Sequence, residues 1–100
     1  MYEEYNALVP SIDVLSIAAL DPGILIELRG VGVAARKKKR ITWTICIEVW
    51  ADKGKLRSRI LGIQAGGPHK GHKPNNALLA YFRKTAKLIY VAYADDGWEP

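Results

Sequence analysis

From Ile41 to Trp50 the chain alternates strictly. Ile41, Trp43, Ile45, Ile47 and Val49 fall on one parity, and Thr42, Thr44, Cys46, Glu48 and Trp50 on the other. Successive side chains of an extended strand point to opposite faces, so this stretch reads as a β-strand with one face in a core. A lone strand cannot bury such a row, so the rest of the chain must supply neighbouring strands and a cover for one side of the sheet. It must do so within 100 residues, a length that supports one modest core and no second.

The neighbours are legible on both sides. Ser11 to Leu20 is aliphatic and stops at Asp21-Pro22-Gly23, a strong turn signal. Ile24 to Ala35 is a second strand, in which Gly30 and Gly32 are expected to mark a bulge or a bend. Asp52-Lys53-Gly54 closes a hairpin from the alternating strand into Lys55 to Gln64. In that returning strand Leu56 and Ile60 share one face and Lys55, Arg57 and Arg59 the other. Three cations on one face cannot enter a core without partners, so that face is expected to be wet or to meet a ligand.

Ala65 to Lys73 is a loop of Gly, His and Lys, and Pro74-Asn75-Asn76 then starts a helix with an Asn as N-cap. Leu78, Phe82, Ala86 and Ile89 follow helical spacing and are expected on the sheet, with Arg83, Lys84 and Lys87 turned outward. Leu88 to Tyr93 suits a strand at least as well as more helix. The long helix is favoured, because the four earlier strands already complete a meander. The expected fold is therefore α+β: a four-stranded antiparallel meander, a C-terminal helix packed on one face, and a short N-terminal helix or arm. One domain spans 1–100, with the arm over 1–10, the sheet over 11–64, a basic loop over 65–74, the helix over 75–93 and an acidic tail over 94–100. No internal repeat, low-complexity segment or linker divides it.

Charge is segregated along the chain. All fifteen Lys and Arg lie between Arg29 and Lys87, where Glu48 and Asp52 are the only acids, so that stretch carries +13 against +5 for the whole. The acids gather before and after it. Such a block favours a polyanion partner, chiefly nucleic acid. The expected phosphate contacts are Arg29, Lys55, Arg57 and Arg59 on the sheet, Arg36, Lys37, Lys38, Lys39 and Arg40 at a strand junction, and Lys70 and Lys73 in the later loop. Trp50, opposite in parity to the aliphatic row, offers a platform for an unpaired base. Trp43 belongs in the core, and Tyr81, Tyr90 and Tyr93 in helix packing.

Other chemistries find little support. His69 and His72 lack companions for a metal site, Cys46 has no recognisable catalytic histidine, and Gly66-Gly67-Pro68 lacks the Gly-Lys-Ser/Thr ending of a phosphate loop. No nucleophile, base and orienting group can be assembled, so no enzyme and no cofactor are expected. A hydrophobic fraction of 49% is too high for a disordered tail, and the aliphatic runs are too broken for a membrane span. Met1-Tyr2-Glu3-Glu4-Tyr5 is acidic where a signal peptide would be positive. With a single cysteine, an intracellular setting, cytoplasm or nucleoid, is expected.

Three resemblances accompany these residues. Tyr93-Ala94-Asp95-Asp96 looks like the metal-binding aspartate motif of reverse transcriptases, with Leu88 to Ala92 as its leading strand. The chain ends four residues later without the further parts such an enzyme needs, so the match is read as chance or as a relic. Ala19-Leu20-Asp21-Pro22-Gly23 looks like the first strand of the resolvase branch of ribonuclease-H-like nucleases, but no set of partner carboxylates follows. Over residues 11–93, the order of arm, four strands, basic loop and helix is similar to the Whirly and transcription-coactivator type of single-strand-binding proteins. That resemblance implies a curved sheet that binds single-stranded nucleic acid and a helix used in dimerisation.

The leading expectation is a non-enzymatic nucleic-acid-binding protein of low sequence specificity, taking single-stranded DNA or RNA. The alternatives are a small viral or mobile-element protein that inhibits a nucleic-acid machine, or a structural ribonucleoprotein subunit. A homodimer or higher homo-oligomer is expected on separate grounds: the sheet has two edges, and Leu78 to Tyr93 is more apolar than one covered face requires.

Overall fold

The structure, a computed structural model, describes residues 12–34, 40–67 and 71–95. The expected N-terminal arm, the acidic tail beyond Asp95, Arg36 to Lys39 and Lys70 lie outside the described residues. Four strands, β1 (Ile12–Ala19), β2 (Ile24–Val33), β3 (Arg40–Asp52) and β4 (Lys55–Ala65), are followed by one helix, α1 (Asn76–Asp95). The strands pair antiparallel in the order β1-β2-β3-β4, a meander, and α1 packs on β2, β3 and β4. The fold is α+β.

The alternating row of β3 forms the centre of the core. Ile41, Trp43, Ile45, Ile47 and Val49 are all buried, joined by Ile24, Ile26 and Leu28 from β2 and by Leu78, Phe82 and Ala86 from α1. Register follows from the turns. Leu20 N–H donates to the Gly23 carbonyl at 2.9 Å across the first turn, where the Asp21–Pro22 peptide is cis. Lys53 and Gly54, both at positive φ, turn the hairpin between β3 and β4. The open face therefore carries the even-numbered residues of β3, with Arg29 and Glu27 beside them on β2.

Gly30 and Gly32 do not mark a bulge, the first of the two expected alternatives. β2 pairs with β3 without interruption through Gly30↔Trp43 and Gly32↔Ile41. The bulges lie instead in the two edge strands, between Val14 and Ser16 in β1 and opposite Cys46/Ile47 in β4. The glycines make room for the helix. A Cβ on Gly30 would stand 2.6 Å from Phe82 Cζ, and one on Gly32 would collide with Leu78 Cδ2. Two missing side chains let α1 sit close against β2.

The helix begins where the sequence places it. The Asn75 side-chain oxygen accepts from Leu78 N–H at 2.8 Å, capping the first turn. It runs unbroken through Leu88–Tyr93, and Ile89, Tyr90 and Tyr93 pack against the core. The end of the basic loop is not free, as a flexible loop would be. The His72 carbonyl accepts from Trp43 Nε1 at 2.9 Å, and Pro74 bridges to Ala34. Among the described residues, no helix is long and apolar enough to cross a membrane.

Candidate nucleic-acid interface

With α1 on one side of the sheet, no other element among the described residues covers the opposite side. Cross-strand register sets its rows: Glu48 stands opposite Arg59, Trp50 opposite Arg57 and Asp52 opposite Lys55, while Asp13 stands opposite Arg29. Arg40, at the start of β3, shares this parity and is exposed. Trp50 is half-buried, its ring therefore partly available to solvent. Thr42 and Thr44 continue the β3 row away from Trp50 toward Gln64 on β4.

The sheet puts Arg29, Arg40, Trp50, Lys55, Arg57 and Arg59 on one face, but it gathers only Lys55, Arg57 and Arg59 around Trp50, with Arg29 about 20 Å and Arg40 about 33 Å away along β3. Lys73 stands apart from them in the loop before α1, where it is exposed. The open face also brings together their counter-charges. Arg59 donates to Glu48 at 2.7 Å, Arg57 Nε lies 3.6 Å from Asp52, and Arg29 lies 4.0 Å from Asp13. Glu27 adds a fourth carboxylate and accepts from the Ser16 hydroxyl at 3.4 Å. Among the described residues the open face is consequently close to neutral, although the chain segment that supplies most of it carries +13. Sequence reasoning placed Glu48 on this face and noted Asp52, but it missed Asp13 and Glu27 and all of the ion pairs. Hairpin register was the signal for Glu48 and Asp52, which fall opposite Arg59 and Lys55. Asp13 comes opposite Arg29 only because of the bulge between Val14 and Ser16, since the register next to the turn would oppose it to Gly30.

Among the described residues, Arg40 and Lys55 on the open face have no carboxylate within ion-pair distance, and further cations lie on the helix side. Lys84 and Lys87 project from α1, and Arg83 donates to the Ser58 carbonyl and hydroxyl at 3.3 and 3.1 Å. With Leu56, Leu88 and Val91 they line an open, mainly apolar depression.

Cys46 lies on the open face, in register with Glu27 on β2. Partial burial, and secondarily the Glu27 carboxylate, push its thiol up from the ordinary 9.0, which disfavours the reactive thiolate. Among the described residues, no group of three or more His, Cys, Asp and Glu could hold a metal ion. Asp21 sits in the β1–β2 turn, and Leu88–Ala92 is helical, so Tyr93-Ala94-Asp95 is not preceded by the strand that its polymerase-like reading requires. No protein-family model, curated protein or solved structure matches the chain.

Proposed function

We propose that this chain is a non-enzymatic nucleic-acid-binding protein. In this reading it takes single-stranded DNA or RNA across the open face with little sequence preference, and works in the cytoplasm or nucleoid as a homo-oligomer. The observation that carries the reading is Trp50, partly exposed on the helix-free face and in register with Arg57, with Lys55 and Arg59 along the same strand. An indole stacks on any base, and flanking cations take the phosphates on either side of it. The ion pairs of Arg29 and Arg57 are exposed on both partners, where such pairs contribute about 0–1 kcal/mol. A phosphate can therefore replace the carboxylate at small cost. In sequence, Arg36–Lys39 fall between β2 and β3 and add four cations to the chain segment that supplies this face.

The near-neutrality of the face favours a second reading, a protein partner with mixed charge, as for an inhibitor of a nucleic-acid machine. Titration of Trp emission with labelled single- and double-stranded oligonucleotides at several salt concentrations separates the two. Binding that weakens steeply with salt supports nucleic acid. Absence of binding to every oligonucleotide at low salt leaves the protein partner.

A further inference from the structure

The two edges of the sheet are built differently. β4 is guarded: it presents Lys55, Arg57 and Arg59, carries a bulge at Leu61, and its Ser58 carbonyl already accepts from Arg83. These are common devices that stop an edge from pairing with another chain. β1 has a bulge near Leu15 but, from Ile12 to Leu20, no Lys, Arg or Pro. Its one charge, Asp13, lies 4.0 Å from the Arg29 guanidinium. Val14 is 47% exposed, and Leu15, Ile17 and Leu20 are each 41% exposed. The helix packs mainly on β2, β3 and β4, and among the described residues only Ile12 of β1 packs against the core.

We infer that β1 is the edge through which two copies of this chain pair, antiparallel about a two-fold axis, to join their sheets. The unpaired N–H and C=O groups of an edge call for another strand. A polyanion finds no cation on β1, and a basic partner finds a single acid already beside an arginine. A neutral, apolar strand is what fits, and a second copy supplies one. In antiparallel pairing, opposed residues share a face, so the axis of a symmetric pair passes through a residue. With the axis at Ala18, Ile17 of each copy opposes Ala19 of the other, along the regular run Ser16–Ala19 beyond the bulge. The two Asp13 carboxylates then lie at opposite ends of the seam. Both helices fall on the same side of the joined sheet, and both open faces form one continuous surface.

This names the surface for the oligomer in the reading above, and its test does not depend on nucleic acid. Sedimentation equilibrium of the full chain across micromolar concentrations is expected to show a monomer–dimer equilibrium. Ile17→Lys should raise the dimer dissociation constant by about tenfold or more by placing a charge in the seam, whereas Leu61→Lys on the β4 edge should not. In a Cys46→Ser background, Ala18→Cys should form a self-disulfide and Leu61→Cys should not, because only the axial residue brings its copies within the ~4.4–6.8 Å Cα separation a disulfide spans. This trap reads the seam even if Ile17→Lys folds poorly. A protein that stays monomeric throughout overturns the inference. So does a dimer that ignores Ile17→Lys, escapes the Ala18 trap and dissociates with Leu88→Lys. That last result would keep the oligomer but assign it to the helix.

Discussion

Trp43 and Trp50 occupy one strand at opposite parity, and the difference is physical rather than chemical. Trp43 is fully buried and its Nε1 donates to the His72 carbonyl, so it fills the core and ties down the loop before the helix. Trp43→Ala should cost about 3–5 kcal/mol in urea unfolding, as large aromatic truncations do. Trp50→Ala should leave the unfolding midpoint nearly unchanged and weaken single-strand binding by about 1–3 kcal/mol in an oligonucleotide titration. The reverse pattern would mean that the open face is not where bases stack. Cys46 gives a second residue-scale expectation. Its folded thiol holds the proton more tightly than the unfolded thiol does, so stability is lost as pH rises through the ordinary 9.0. Unfolding compared between the native chain and Cys46→Ser should therefore diverge above about pH 9, in the direction of a relatively weaker native chain, and not near pH 7. Parity in β3 made these side chains legible in the sequence. Charge pairing was not, because Asp13 and Arg29 meet only across the first turn.

At the scale of elements, the sequence was clearest where a strand had one covered face and least clear where tertiary packing decides. Leu88 to Tyr93 carries no local preference strong enough to separate helix from strand. What settles it is that Ile89, Tyr90 and Tyr93 reach the core from a continuing helix. Gly30 and Gly32 show the same thing from the sheet's side. A strand glycine suggests a bulge or a close approach, and nothing in β2 itself distinguishes them. The approach of Phe82 and Leu78, some fifty residues later, decides between them. Gly30→Ala and Gly32→Ala should each destabilise by about 1–3 kcal/mol, as overpacking against a fixed neighbour does. Gly62→Ala, where an added Cβ meets nothing within 4 Å, should be neutral or slightly stabilising. Thermal melts of the three variants make the comparison. A loss at Gly62 equal to that at Gly30 would show that strand glycines matter here for backbone freedom and not for helix seating.

For the whole molecule, segregation of charge along the chain and segregation of charge in space are different properties. The basic block from Arg29 to Lys87 suggested a strongly positive surface. The meander folds Asp13 and Glu27 onto the same face, and the hairpin brings Glu48 and Asp52 against Arg59 and Arg57. Those acids offset most of the arginines' charge on this face. In the proposed reading, a nucleic acid on this face competes with carboxylates for the same guanidinium groups, which makes the acids the most informative positions to change. Glu48→Gln combined with Asp52→Asn releases Arg57 and Arg59 without altering side-chain size. If phosphates bind this face, the double variant should bind single strands more tightly than the native chain. The log–log salt dependence should steepen by up to about 0.7 for each phosphate newly neutralised. Charge removal at Arg57 and Arg59 should flatten it by a similar amount. Lys84→Gln with Lys87→Gln, on the opposite side of the molecule, should leave both affinity and slope nearly unchanged. If the helix variant loses binding while the acid variant does not gain it, the phosphate track runs along α1. The open face would then be left to a protein partner of mixed charge.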